Sequence, residues 1–241
     1  MAKPILVERK GSFAFITLNR PRRGNVITHA MMQQLAEHVN ALAEYQNLRG
    51  IVVRGAGKDF CHGRDPKGPS GPPPSSAFEL HGKVFSKIHG VYKAFRNCPA
   101  PIVTVVQGKA LGFGCALVGG SDVAIVGEGA KFALPEMAHG TAPTLAMSAL
   151  SKVAPKALAN MVYSMNEIDA STALSVGLVS QVVPDDGLDA AQSALLDKLA
   201  GYDVAAIRTI KRFLATGPGL DPETMSDLAG YTLATVNTRP K

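Results

Sequence analysis

Long apolar runs, paired cysteines and clustered charge are scarce in this chain of 241 residues. No apolar run approaches the roughly 18–20 residues needed to cross a bilayer, which excludes a helical membrane span. The three cysteines, Cys61, Cys98 and Cys115, are odd in number and lack metal-type spacing. They read as small apolar fillers, not as a disulfide framework, a metal site or a nucleophile. The opening Met1-Ala2-Lys3-Pro4 leads into a strand pattern, with neither a signal-peptide core nor an Arg-rich transit segment, so the expected location is the cytoplasm. The formal charge of +6 and pI near 9.3 come from scattered residues. No basic stretch is interleaved with aromatics, which argues against nucleic acid. The positive balance suits a small polyanion such as a phosphorylated cofactor, and equally suits plain solubility. What the chain does have is 46% hydrophobic residues and 18% charged ones, enough for a sizeable core. Its length fits one large domain, or a domain with a small extension.

Apolar patterning divides the chain into an early part where strands and helices alternate and a late part that is helical. Residues 5–10 and 13–18 flank Gly11-Ser12 as a hairpin. Residues 28–47 carry helical spacing at Met31, Leu35, Val39, Leu42 and Ala43, with Thr28 as N-cap. Strands are expected at 50–54, 101–106, 122–126 and 131–134, and a buried helix at 112–119. The Pro/Gly-rich stretch 66–76 reads as an irregular loop. The helix after it, 77–96, should bury Phe78, Val84, Phe85, Ile88 and Tyr92. Helices follow at 144–153, 155–164, 170–176, 187–200, 203–215 and 221–235, with an extended insert at 177–183. This predicts an α/β core over residues 1–185 and a helical C-terminal region over 186–241.

Two glycine-marked turns are where chemistry would sit. One is Asp59-Phe60-Cys61-His62-Gly63-Arg64-Asp65, the other Gly108-Lys109-Ala110-Leu111-Gly112-Phe113-Gly114-Cys115. Each follows a strand pattern, and the second opens a helix, whose first N–H groups have no partner within the helix. Two such groups from separate turns would hold a developing negative oxygen, although glycine turns also simply connect elements. A phosphate loop is excluded, because no Gly-Lys-Ser/Thr stands at the required spacing.

Several segments in order resemble the crotonase (enoyl-CoA hydratase/isomerase) family. They are Leu18-Asn19-Arg20-Pro21 with Asn25, Gly57 to Asp65, Gly108 to Cys115, Asp122-Val-Ala-Ile-Val, Phe132 to Glu136, and Ala173 with Gly177-Leu-Val. The resemblance covers roughly residues 4 to 215. It implies a crotonase-like spiral of ββα units with a helical C-terminal region. That region would assemble a homotrimer or a hexamer made as a dimer of trimers. It also implies an acyl-CoA thioester substrate, with coenzyme A entering as part of the substrate and no separate cofactor or metal. The thioester oxygen would lie between the backbone N–H groups of Arg64 and Phe113. Arg22, Arg23, Cys61, His62, Asp65, Pro66, Lys67 and Gly112 are the positions that would contact substrate or CoA. Asp65 reads as a cap of its turn.

Glu136 matches the family's catalytic acid, and Ala116 stands where hydratases of the family carry a second glutamate. Two carboxylates orient and activate one water; a single carboxylate moves a proton within the substrate. The family's monofunctional isomerases lack the first acid and keep the second. Glu136 would then take a proton from C2 of a 3-enoyl thioester and return it at C4. Its pKa would be raised by burial among Ala133, Leu134, Met137 and Ala138. The segment Gly140-Thr-Ala-Pro143-Thr144 also departs from the glycine-rich stretch of hydratases. Thr144 excludes the branches that place a base or an aspartate there. His62 and His139 flank these segments and read as structural. The alternatives are a hydratase or hydratase-lyase with a replacement acid, and a weakly catalytic acyl-CoA-binding protein.

Overall fold

The computed structural model describes residues 3–65, 67 and 74–239. The chain opens as the expected hairpin. β1 (Ile5–Lys10) and β2 (Phe13–Leu18) pair antiparallel with Lys10 opposite Phe13. β2 alternates strictly, burying Ala14, Ile16 and Leu18. α1 (His29–Ala43) follows, its N-terminus capped by the Thr28 side chain, which accepts from Met31 N. Met31, Met32, Leu35, Val39 and Leu42 form its buried stripe. Burying each such side chain contributes about 1.5–3 kcal/mol before the entropy of ordering it is subtracted.

From there strands come in pairs that part company. β3 (Gly50–Gly55), β4 (Ile102–Val106), β6 (Val123–Gly127) and β9 (Gln181–Val183) join a six-stranded sheet in the order β1-β2-β3-β4-β6-β9. All pairings beyond the first hairpin are parallel. Parallel strands are covered on both faces, and β4 is accordingly buried at every residue. β5 (Lys109–Leu111), β7 (Lys131–Ala133) and β8 (Ile168–Asp169) form a second sheet in the order β5-β7-β8. Thus β4 and β6 lie in the large sheet while β5 and β7, which follow them directly, lie in the small one. A helix closes each pair: α4 (Phe113–Gly119) after β5 and α5 (Thr144–Ala149) after β7. The segment after β3 imitates this step, because Cys61 bridges to Ala110 in parallel fashion. β5 and β8 lie outside the strands expected from sequence. With three and two residues, they are too short for an alternating pattern. Likewise the insert at 177–183 is extended only at β9, since Gly177 turns the chain at φ +79.

The helix expected at 77–96 is composite. α2 (Ala77–Leu80) passes through a π turn, His81–Phe85, into α3 (Ser86–Asn97). A π turn holds one residue more than an α turn and rotates what precedes it by about 100°. Phe78, expected in the core, is therefore 89% exposed, while Val84, Ile88 and Val91 are buried. α6 (Pro155–Ser164) and α7 (Ala170–Ser175) lead to β9. The helical end consists of α8 (Leu188–Gly201), α9 (Val204–Thr216) and α10 (Pro222–Thr238). α8 covers the large sheet with Leu188 and Leu196, which cluster with Val52, Val103, Val105 and Ile125. α9 buries Ile207 and Lys211, whereas α10 buries no residue. Lys211 is compensated: its Nζ donates to Asp122 Oδ2 at 2.6 Å and to Phe95 O at 3.0 Å.

Candidate active site

The two glycine turns are stitched into one unit by backbone bonds. Asn25, fully buried at φ +54, donates to Ala56 O (2.9 Å) and Asp59 O (2.8 Å) and accepts from Arg20 N (2.8 Å). It fixes the start of the first turn. Asp59 Oδ1 then accepts from Lys109 N at 2.9 Å, which reaches the second turn. Cys61 N donates to Lys109 O at 3.0 Å, and Leu111 N donates to Cys61 O at 2.9 Å. On the opposite side Ile27 N donates to Gly63 O and Asp65 N donates to Ile27 O, each at 2.9 Å. Gly114 packs so tightly on this ladder that a Cβ there would stand 2.2 Å from Cys61 O. One built on Gly63 would stand 3.7 Å from Phe113 N, so the two turns are in contact beside Phe113. Among the described residues, no hydrogen bond leaves the amide of Arg64 or of Phe113.

Glu136 reaches the same spot from the small sheet. Gly112 N donates to Ala133 O at 2.9 Å, tying the end of β7 to the start of α4. After β7 the chain forms a 3-10 helix, Pro135–His139. Gly112 has φ +51 and ψ −115, a conformation that side chains with a Cβ resist. The free space above it is occupied: a Cβ on Gly112 would lie 2.8 Å from Glu136 Oε1. The other oxygen, Oε2, is buried with no hydrogen-bond partner among the described residues. Burial pushes the Glu136 carboxyl above the usual glutamate range. Its own backbone amide and the charges of Arg64 and His139 pull the other way. Glu136 shares a cleft of about 70 Å³ with Arg64, Ile88, Tyr92, Phe113 and Thr144.

The cover over Glu136 differs from the expected one. Ala133 and Leu134 are buried as predicted, but the 3-10 turn swings Met137 and Ala138 to the outside. Apolar shielding comes from Ile88, Phe113 and Tyr92 on the cleft wall. The Phe113 ring stacks on Tyr92 with centroids 5.9 Å apart. Burial, and next the Glu136 charge, push the Tyr92 phenol upward. The sequence marks Tyr92 as a core position, four residues after Ile88, and holds no signal that this face borders the carboxylate. Ala116 lies fully buried in α4 and offers only a methyl group.

The remaining expected contacts divide. Cys61 is fully buried, its Sγ accepting from Gly63 N at 3.4 Å, and burial pushes its thiol up to about 12. It braces the turn from inside and does not border the cleft. The His62 ring packs against Gly24, with Nε2 3.1 Å from Asp59 Oδ2 without hydrogen-bond alignment, and it too stays off the cleft. Asp65 caps its turn through Lys67 N at 3.2 Å and turns Oδ2 to Arg20 at 3.4 Å and Arg23 at 3.9 Å. The Lys67 amide, then Arg23 and Arg20, hold its carboxyl below the usual range against the opposing effect of burial. Asp65 is thereby engaged internally. Arg22, Arg23 and Lys67 remain at the surface, and Pro66 lies outside the described residues. Among the described residues there is no group of three or more His, Cys, Asp or Glu side chains suited to a metal ion, and no helix long and apolar enough to cross a membrane.

A family profile described as enoyl-CoA hydratase/isomerase matches residues 8–226. Among curated proteins, the rat (Rattus norvegicus) enoyl-CoA hydratase domain-containing protein 3, mitochondrial, is 32% identical over 193 residues, covering 80% of this chain. That match spans 63% of the rat protein's length. Its name gives no support to the cytoplasmic expectation. Among solved structures, an enoyl-CoA hydratase from Mycobacterium smegmatis superposes with a TM-score of 0.94 at 31% identity, covering 99% of this chain and 93% of that one. An enoyl-CoA hydratase from Thermobifida fusca, solved in complex with CoA, gives 0.87 at 27% identity over 97% and 93% of the two chains. The fold is the crotonase fold expected from the sequence.

Proposed function

The chain belongs to the enoyl-CoA hydratase/isomerase family, and on that premise we propose that it moves a double bond within an acyl-CoA by one-base proton transfer. The observation that carries this reading is a buried Glu136 Oε2 with no hydrogen-bond partner among the described residues, together with Ala116 where a second acid would stand. In a 3-enoyl thioester, Glu136 takes the proton from C2. The electron pair passes onto the thioester oxygen as an enolate, between the Arg64 and Phe113 amides. The pair then returns through the chain as Glu136 delivers the proton to C4, leaving a 2-enoyl thioester. A positioned base contributes about 10²–10⁴-fold and each oxyanion donor about 10²–10³-fold. Arg22, Arg23 and Lys67 contact the CoA phosphates. The protein assembles as a homotrimer or a dimer of trimers, with the unburied α10 supplying contact surface.

The test is exchange of C2 hydrogen with solvent deuterium. The unmodified protein should exchange it and convert a 3-enoyl-CoA, and Glu136→Gln should do neither. Retained exchange in the variant would remove Glu136 as the base. Hydration of a 2-enoyl-CoA is the second reading. The names of the relatives favour it, as do Thr141 and Thr144, whose place on the cleft wall suits them to orient a water beside Glu136. Water addition at a rate matching or exceeding isomerisation would establish it in place of the first.

A further inference from the structure

A second cavity shares a wall with the Glu136 cleft. The cleft is bounded by Ile88 and Tyr92 on α3 and by Thr144 and Ala146 on α5. A larger cavity, about 460 Å³, is bounded by the next stretches of the same chain, with Tyr92 and Arg96 on α3 and Ser148 and Lys152 at and beyond the end of α5. α4 underlies both, contributing its first residue, Phe113, to the cleft and its last, Gly119, to the larger cavity. Tyr92 lines both, and on the cleft side its ring stacks on Phe113. From Ile88 to Arg96, α3 runs about 12 Å, at 1.5 Å per residue.

The larger cavity mixes apolar and cationic side chains, with Phe95 buried and Arg96 and Lys152 exposed. Phe95, Leu214 and Pro218 line it, together with Arg96, Lys152, Lys211 and the carboxylate of Asp122. Asp122 is already committed, to Lys211 at 2.6 Å and to Ile102 N at 2.7 Å. Among the described residues, no carboxylate pairs with Arg96 or Lys152. An alkyl tail would cover the apolar side chains and leave Arg96 and Lys152 unmatched, whereas a chain with an apolar stem and an anionic end meets both kinds of surface.

We propose that the cleft and this cavity join past Tyr92 into one groove, that this groove is the acyl path, and that the substrate is an acyl-CoA ending in a carboxylate, held by Arg96 and Lys152. The proposal rests on the acyl-CoA reading above. At about 1.2 Å per bond of extended chain, the span corresponds to about ten bonds between thioester and carboxylate.

Titration calorimetry with four probes tests it: free coenzyme A, a short saturated acyl-CoA, and a matched pair of about ten carbons, one ending in methyl and one in carboxylate. The unmodified protein should bind the carboxylate-ended member about 10-fold more tightly than its partner. Arg96→Gln with Lys152→Gln should abolish that preference and leave the short acyl-CoA unchanged, which also reports that the variant is folded. Equal affinity for the pair in the unmodified protein overturns the proposal. So does a variant that loses free coenzyme A and short acyl-CoA in equal measure, because the two cations would then serve the CoA phosphates. Failure of every probe to bind removes the acyl-CoA reading and this inference with it.

Discussion

Replacing Gly112 by alanine separates backbone strain from catalytic geometry. The position has φ +51 and ψ −115, and a new methyl would stand 2.8 Å from Glu136 Oε1. Holding alanine in that conformation costs about 1–3 kcal/mol. For a chain of this length each kcal/mol lowers Tm by about 2–4 °C, so a drop of about 2–12 °C is expected. The contact has a second effect. Ordinary van der Waals contact for a methyl begins near 3.4 Å, so the carboxylate must retreat by about 0.6 Å from its 2.8 Å approach. A misplacement of 1 Å costs about 10²-fold in rate, and 0.6 Å therefore costs about 10-fold or more. The assay is loss of the C2 proton signal of a bound acyl-CoA in deuterated buffer, read well below Tm. Gly11→Ala is the control, because Gly11 has φ +59 and nothing within 4 Å of its would-be Cβ. It should lower Tm comparably and leave exchange intact. If Gly112→Ala melts lower yet exchanges within about 3-fold of the unmodified protein, the carboxylate over Gly112 is not the base.

Other perturbations follow from the same geometry. Burial raises the Glu136 pKa, so activity should rise with pH through a midpoint above the ordinary glutamate value of about 4.3, visible in a kcat/KM profile. The stability sign is opposite. A raised folded-state pKa stabilises below the unfolded value and is lost as pH rises through the folded one. Glu136→Gln should therefore melt no lower than the unmodified protein at pH 7, with any gain vanishing below about pH 4. Asn25→Ala strips three bonds from a fully buried site. At about 1 kcal/mol or more per orphaned group, urea unfolding should show a loss of about 3 kcal/mol or more. Lys211→Met leaves Asp122 without its buried partner and should cost about 3–5 kcal/mol, while adding Asp122→Asn should give a total smaller than the sum of the single losses.

Most of the fold was readable where one element has enough residues to show its period. The β1–β2 hairpin, α1 with its Thr28 cap, and the central strands come from local pattern and lie where the pattern puts them. What stayed hidden depends on distance in sequence. β5 and β8 exist through pairing with β7, and their own few residues carry no period. Phe78 was misplaced because a π turn shifts helical phase without a signature in residue type. At the site, motif order pointed to Glu136 and the two turns. The roles of Asp59, which joins the turns through Lys109 N, and of Tyr92, which shields the carboxylate, come from tertiary approach. Met137 and Ala138 were expected over Glu136 because they adjoin it in sequence, and a single 3-10 turn undoes that adjacency.

Phe113 brings two separable duties to one position. Its amide is a backbone group that makes no hydrogen bond among the described residues, while its ring stacks on Tyr92. On the proposed acyl path, variation at 113 would retune which chains are accepted while the proposed backbone donor stays in place. For an engineer, position 113 would then be a selectivity dial with little leverage on the chemical step, provided the replacement tolerates the start of α4.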